Sequence, residues 1–312
     1  MKPTSNNDWL DIFLDEFLSE PGNWAYQPGG MTAAEPTALA ALALAAHGRL
    51  EAAGRACDRL ADLQGPDGSV AVTAHQPTPC WPTGWAVLAW TKVDSLTGAP
   101  TFRNETARAI DSILALHGRT MEAVSEMGHN PRLDGWPWVE GTHPWCEPTA
   151  INMLALKATG HGDAPRAQEA AAMLVDRLLP DGGCNYGNTT VLGQVLRPHI
   201  EPSGLVLVAL AGEPVIDGRL ERSLTFLEQA AATTRGGASL AYALLGLTAH
   251  ARRPDQADAW LSAAARQSRA WQSMPQRKAL LTLAAAVPCP LITTSQTARH
   301  ALRDRIKVGG AL

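Results

Sequence analysis

No C-x-x-C pair occurs in this chain of 312 residues, and its five cysteines (Cys57, Cys80, Cys146, Cys184 and Cys289) are odd in number and widely spread. That pattern gives neither a disulfide framework nor a paired zinc-ligand spacing, and reduced thiols in a cytoplasmic protein are expected. Lys and Arg form no cluster, and the formal net charge is −4, which speaks against nucleic acid as a main partner. The first residues, "MKPTSNNDWLDIFLDEFL", are acidic and lack an apolar run followed by a small-residue cleavage site, so no signal peptide is expected. Gly, Pro or charge breaks every apolar stretch short of a membrane span, so a transmembrane protein is not expected either. With 46% hydrophobic and 18% charged residues, the composition is that of an ordinary soluble globular protein able to bury a large core.

What the chain does have is repetition. Apolar segments with Pro at their start recur as "PTALAALALAAHG" from Pro36, "PTGWAVLAWTKV" from Pro82, "PTAINMLALKATG" from Pro148 and "PSGLVLVALAG" from Pro202. Weaker copies begin at Ala238 and Ala279. Pro suits the first turn of a helix, where its missing N–H has no partner anyway. A helix that is apolar all round is buried all round. Amphipathic segments lie between these copies, at 51–64, 105–118, 165–179, 219–232, 257–271 and 296–307, with charge on one side and Leu, Ile and Ala at helical spacing on the other. The buried starts fall 46, 66, 54, 36 and 41 residues apart, the signature of a helical repeat array. Inner helices without a polar side cannot line an open solenoid. The expectation is all-α: a closed α/α toroid of about six helical hairpins. It forms one domain over 1–312, with a short helix at 8–19 and repeats from about 20 to 308.

The loops repeat too. Trp24 lies 11 residues before Glu35-Pro36-Thr37, and Trp136 lies 11 before Glu147-Pro148-Thr149. "GGCNYGN" precedes Glu201-Pro202-Ser203 with a longer insert, and "DGSVAV" precedes Trp81-Pro82-Thr83. The stretches "LADLQGPDGSV" (60–70) and "LVDRLLPDGGCNYGN" (174–188) resemble the Gln/Trp repeat of squalene and terpene cyclases and protein prenyltransferase β subunits, in which an outer helix ends in Q-x-x-D-G-x-W. The closing Trp is Val70 in one copy and Cys184 in the other, and the D-x-D-D and D-D-x-x-D motifs are absent. The resemblance covers most of residues 20–250 and implies a barrel whose chemistry sits at the inner-helix N-termini and the loops before them. Those positions gather Glu35, His75, Cys80, Trp81, His143, Trp145, Cys146, Glu147, His199 and Glu201.

Each feature carries two readings. The glutamates are helix-end carboxylates favoured by the dipole. Alternatively, one of them, Glu147 foremost, with Glu35 and Glu201 beside it, is a desolvated proton donor. The aromatics fill a core, or Trp81, Trp85, Trp136, Trp138, Trp145 and Tyr186 wall a cavity for a hydrophobic isoprenoid and its carbocations. No cofactor is expected; the alternative is zinc on some of Cys80, His143, Cys146 and His199, although Thr78 stands where the prenyltransferase pattern has an Asp. Near the presumed mouth, the basic residues Arg132 and Arg197 are few for a diphosphate. The leading functional expectation is acid-initiated, terpene-cyclase-like chemistry on a polyprenyl or terpenoid substrate. The alternatives are a zinc-dependent, prenyltransferase-like transferase and a non-catalytic toroid that binds a lipid or a protein partner. Far-ultraviolet circular dichroism should give a helix-dominated spectrum, and a strand-rich one would overturn the repeat assignment.

Overall fold

The computed structural model describes residues 8–19, 24–122, 127–214, 217–270 and 274–292. Among these are twelve helices and one short hairpin of two-residue strands, Thr190–Val191 and Gln194–Val195. The helices are α1 (Asp8–Ser19), α2 (Ala34–Ala46), α3 (Leu50–Asp62), α4 (Thr83–Thr97), α5 (Arg103–Ala115) and α6 (Cys146–Ala158). They continue as α7 (Pro165–Asp176), α8 (Ile200–Leu210), α9 (Gly218–Thr233), α10 (Gly237–Ala249), α11 (Ala257–Ala270) and α12 (Pro275–Ala285).

The even-numbered helices form a closed inner ring: α2 packs on α4, α4 on α6, α6 on α8, α8 on α10, α10 on α12, and α12 back on α2. They are the Ala- and Leu-rich segments; α2 hides twelve of its thirteen residues, while α12 buries residues 279–284 behind a half-buried polar first turn. The odd-numbered helices lie outside and bury only one stripe, as Ala52, Ala53, Ala56, Cys57 and Leu60 do on α3. The toroid expected from the repeats is therefore the observed fold.

Helix α1 has the bounds expected of the short N-terminal helix, 8–19, and packs on α12, α11 and α2, so it takes a place in the outer layer. Trp9, Phe13, Leu14 and Phe17 form its buried stripe. Its Glu16 pairs with Lys278 of α12 at 2.6 Å. The segment 296–307, expected as the sixth outer helix, lies outside the described residues.

The repeating triplet has a mechanical role that its spacing alone does not reveal. Pro36, Pro148 and Pro202 are the third residues of α2, α6 and α8, and the glutamates are the second, so each helix starts two residues earlier than Pro suggested. Pro is tolerated there because the first-turn N–H groups have no intrahelical acceptor. The Thr or Ser that follows is a latch. Thr149 Oγ1 accepts the N–H of Trp136 at 2.9 Å, Ser203 Oγ that of Cys184 at 2.9 Å, and Thr83 Oγ1 that of Val70 at 2.9 Å. Thr37 Oγ1 lies 3.5 Å from the Trp24 carbonyl in the first copy. Each inner helix thereby holds the loop that precedes it. The Gln of the first Q-x-x-D-G turn works outward: Gln64 Nε2 donates to Gly68 O at 2.9 Å and to Glu105 O on α5 at 2.8 Å. Gly68 (φ +85°) packs so closely on α5 that a Cβ would stand 2.1 Å from Arg108 O, which restricts the position to glycine.

Replacing Thr149 by the isosteric Val strands the buried Trp136 N–H. Urea unfolding of Thr149→Val should show a loss of about 1–3 kcal/mol. Unchanged stability would mean that the hydroxyl latch is incidental.

Candidate functional site

The second residues of five inner helices meet at one end of the ring. Glu35 (α2), Glu147 (α6), Glu201 (α8), Ala238 (α10) and Gln276 (α12) line one cavity of about 150 Å³ together with Tyr242, Met274, Arg277 and Leu280. In α6 and α8 the latch ties the preceding loop, and the Glu two positions before the latching hydroxyl lines the cavity. The α4 copy contributes nothing to the lining, because its triplet reads Trp81-Pro82-Thr83.

Among the described residues, none of the three carboxylates is hydrogen-bonded as a cap by a backbone N–H. Glu35, 8% exposed, is bonded by the Tyr26 hydroxyl and the Gln276 amide. Ser239 Oγ donates to Glu201 Oε1 at 3.0 Å. Glu147 is half-buried, and no side chain is seen to bond it among the described residues. Burial pushes the Glu35 carboxyl up to about 7; its two donors pull against that, and Glu201 adds repulsion. Burial also pushes Glu147 up to about 7, with repulsion from Glu201 and then Glu35. The Tyr26 and Tyr242 phenols are raised as well, by burial first and then by the charge of the glutamates. The cavity thus holds acidic groups that gain and lose protons near neutrality, the condition for acid–base work.

The aromatics divide into two sets. Trp85 and Trp136 are core residues, at 1% and 0% exposure. Trp136 Nε1 donates to Ile113 O at 2.8 Å, and the Arg166 guanidinium lies 4.1 Å from its ring centre. Arg166 also donates to Gly135 O at 2.9 Å and to Leu116 O at 3.0 Å, fixing the long insert before α6. Trp81 and Trp138 are half-buried and meet edge to face at 4.8 Å. Trp145 lies over Gly187, where a Cβ would stand 3.0 Å from its ring. Tyr186 packs on His199 at 4.9 Å, and its phenol is raised by burial and then by Glu147 and Glu201. No described tryptophan lines the glutamate cavity.

Among the described residues, no three His, Cys, Asp or Glu side chains are grouped to hold a metal ion. The four residues weighed for zinc have separate surroundings. The Cys80 thiol donates to Pro77 O at 2.9 Å, and His143 Nδ1 bonds Arg119 O at 3.0 Å. Cys146 meets Cys184 inside the wall, and exposed His199 stacks on Tyr186.

Tyr26, Ser239, Tyr242, Gln276 and Arg277 were not legible as site residues from the sequence. Tyr26 stands in the repeated Trp-containing loop "NWAY", a usable signal. Gln276 is the Glu position of the last copy, hidden because that helix starts at Pro275 and not near Ala279.

No protein-family model matches the chain, and no curated protein matches it in sequence. Solved structures do resemble it. A variant glycosidase has a TM-score of 0.59 at 11% identity, covering 92% of this chain and 98% of its own. The wild-type glycosidase has 0.58 at 11% identity, with the same coverage. A Salmonella alpha-2-macroglobulin reacted with methylamine has 0.50 at 15% identity, covering 89% of this chain and 17% of its own. At such identities the likeness establishes the toroid fold, and the cyclase and prenyltransferase resemblance remains one of repeat and turn motifs. No described helix is long and apolar enough to cross a membrane.

The Glu35 carboxyl makes folding pH-dependent. Unfolded, it titrates near 4.5; folded, near 7. Below pH 4.5 both states keep the proton and the group is neutral in its effect. As pH rises from 4.5 to 7 the unfolded chain releases its proton first, so stability falls, and above 7 the penalty is complete. Glu35→Gln removes this penalty. Relative to wild type the variant should gain on the order of 2–3 kcal/mol more at pH 8 than at pH 4. Chemical denaturation at both pH values measures it, and an equal difference at both would show that folding does not raise this carboxyl.

Proposed function

We propose that this protein is an acid–base enzyme that uses the glutamate-lined cavity to cleave a glycosidic bond in a polar, hydroxylated substrate. The observation that carries the proposal is the pairing of Glu35 and Glu147, two carboxyls raised to about 7 on one small cavity. Glycoside hydrolysis needs two carboxyl groups in opposite protonation states at working pH. Burial raises both carboxyls to about 7; Tyr26 and Gln276 donate to Glu35 and pull against that rise, whereas no such donor is seen at Glu147 among the described residues. The acid role is assigned to Glu147 on that difference in partners. Glu147 then protonates the leaving oxygen, and Glu35 acts on the other side as base or nucleophile. Glu201, bonded by Ser239 Oγ, repels the anion of Glu147 and so favours its protonated form. The toroid-shaped neighbours named as glycosidases agree with this reading at the level of fold.

The isoprenoid substrate draws no support from the cavity. A carbocation cascade needs walls that do not capture the cation, yet this lining has three carboxyls, a phenol, an amide and a guanidinium. At about 150 Å³ the space is also below the ~300–1,000 Å³ of sites that enclose a drug-sized molecule. One sugar ring suits it better than a polyprenyl chain.

The test is hydrolysis of a panel of 4-nitrophenyl glycosides of both anomeric configurations by the full chain. Wild type should release nitrophenol with a pH optimum near neutrality. Glu147→Gln should fold normally and lose roughly 10²–10⁴-fold in kcat. No release from any glycoside, or full activity in Glu147→Gln, would sink the proposal.

A further inference from the structure

The cavity is chemically two-sided. Its α2, α6 and α8 walls each present a glutamate, whereas the α10 and α12 walls present Ala238, Gln276 and Arg277. The Arg277 guanidinium makes no ion pair or hydrogen bond among the described residues, although three carboxyls line the same space. Its donors are therefore uncommitted among the described residues.

The stem of Arg277 is seated by a residue with no side chain. At Gly237, the first residue of α10, a Cβ would meet Arg277 Cδ at 3.2 Å and Cγ at 3.3 Å. Glycine there lets the arginine lie across the start of α10. The helix ends on this side also lack anions of their own: Gly236 and Met274, the N-caps of α10 and α12, form no side-chain cap bond. Among the lining residues described, the one cationic side chain is Arg277, so an acidic ligand finds its partner there.

We propose that Arg277 forms a carboxylate-recognition subsite, so that the substrate is an acidic glycoside, a sugar bearing a carboxylate. The proposal rests on the glycoside-cleaving reading for the reaction and adds which sugars it selects. A guanidinium presents a planar pair of N–H donors matched to the two oxygens of a carboxylate, which neither an amide nor a hydroxyl group of a neutral sugar reproduces. Arg277 is thus a specificity residue, while Glu147 and Glu35 handle protons.

The experiment compares wild type with Arg277→Gln, Arg277→Lys and Glu147→Gln. Calorimetry measures binding of glucuronate and of glucose, and the 4-nitrophenyl glucuronides and glucosides measure turnover. Wild type should bind glucuronate about tenfold or more tightly than glucose, and Arg277→Gln should lose that margin. Arg277→Lys, which keeps the charge without the fork, should retain part of it, and Glu147→Gln should keep the full preference while losing turnover. Equal binding of the two sugars by wild type, no binding of either, or a preference that survives in Arg277→Gln overturns the subsite. A preference for glucuronate without turnover of any glycoside would retain the subsite and refute the catalytic reading. Turnover of glucosides and glucuronides alike would do the reverse.

Discussion

Six helices whose apolar residues face every side can be covered only if the ring they form has no ends. Every other feature of the structure follows from that closure. An open row would leave the apolar sides of its terminal helices in water; α2 and α12 cover each other instead, sealed by His47 Nε2 against the Thr282 carbonyl at 2.9 Å. Helix α1 completes the outer layer over that seam, with Phe13 at 0% exposure. The N-terminal segment is in this sense part of the ring's mechanism. It covers the one joint that connects the last described inner helix to the first.

Closure fixes the ring; the hydroxyl latches fix its register. Thr83, Thr149 and Ser203 each bind the preceding loop by one backbone N–H, which sets how far each inner helix projects toward the axis. Two residues earlier in the α2, α6 and α8 copies sits a glutamate. Three carboxyls are therefore brought together by a packing device that is itself indifferent to charge. Their mutual repulsion and burial oppose folding at neutral pH and are tolerated because the large apolar core around them is closed. That is the usual relation between a strained site and a stable scaffold. The same geometry that raises Glu35 and Glu147 leaves the α10–α12 side free of acid, so the cavity has a direction, from the carboxyl walls to Arg277.

Much of the architecture was legible in the residues. The alternation of wholly apolar and one-sided segments identifies inner and outer helices, since burial on all sides and burial on one side select different compositions. The Glu-Pro-Thr/Ser triplets and the turns before them identify the repeat, because the latch needs a hydroxyl at a fixed distance from the loop. Glu35, Glu147 and Glu201 were therefore readable as one set. The functional weight placed on tryptophan was less secure. Trp85 and Trp136 have the composition of a cavity wall but the surroundings of a core, and no spacing rule separates the two.

The sequence by itself determined the helix types, their number in the main repeats and the common register of three glutamates, because these depend on local periodicity and short-range hydrogen bonds. Only the tertiary structure decided that α1 takes a place in the outer layer, that Tyr26 and Gln276 bond Glu35 while no such donor reaches Glu147 among the described residues, and that Arg277 shares their cavity. Those facts depend on which helices meet when the ring closes. Gln276 comes to Glu35 across the α12–α2 joint, between residues 241 positions apart in the chain, a distance over which no local pattern carries information.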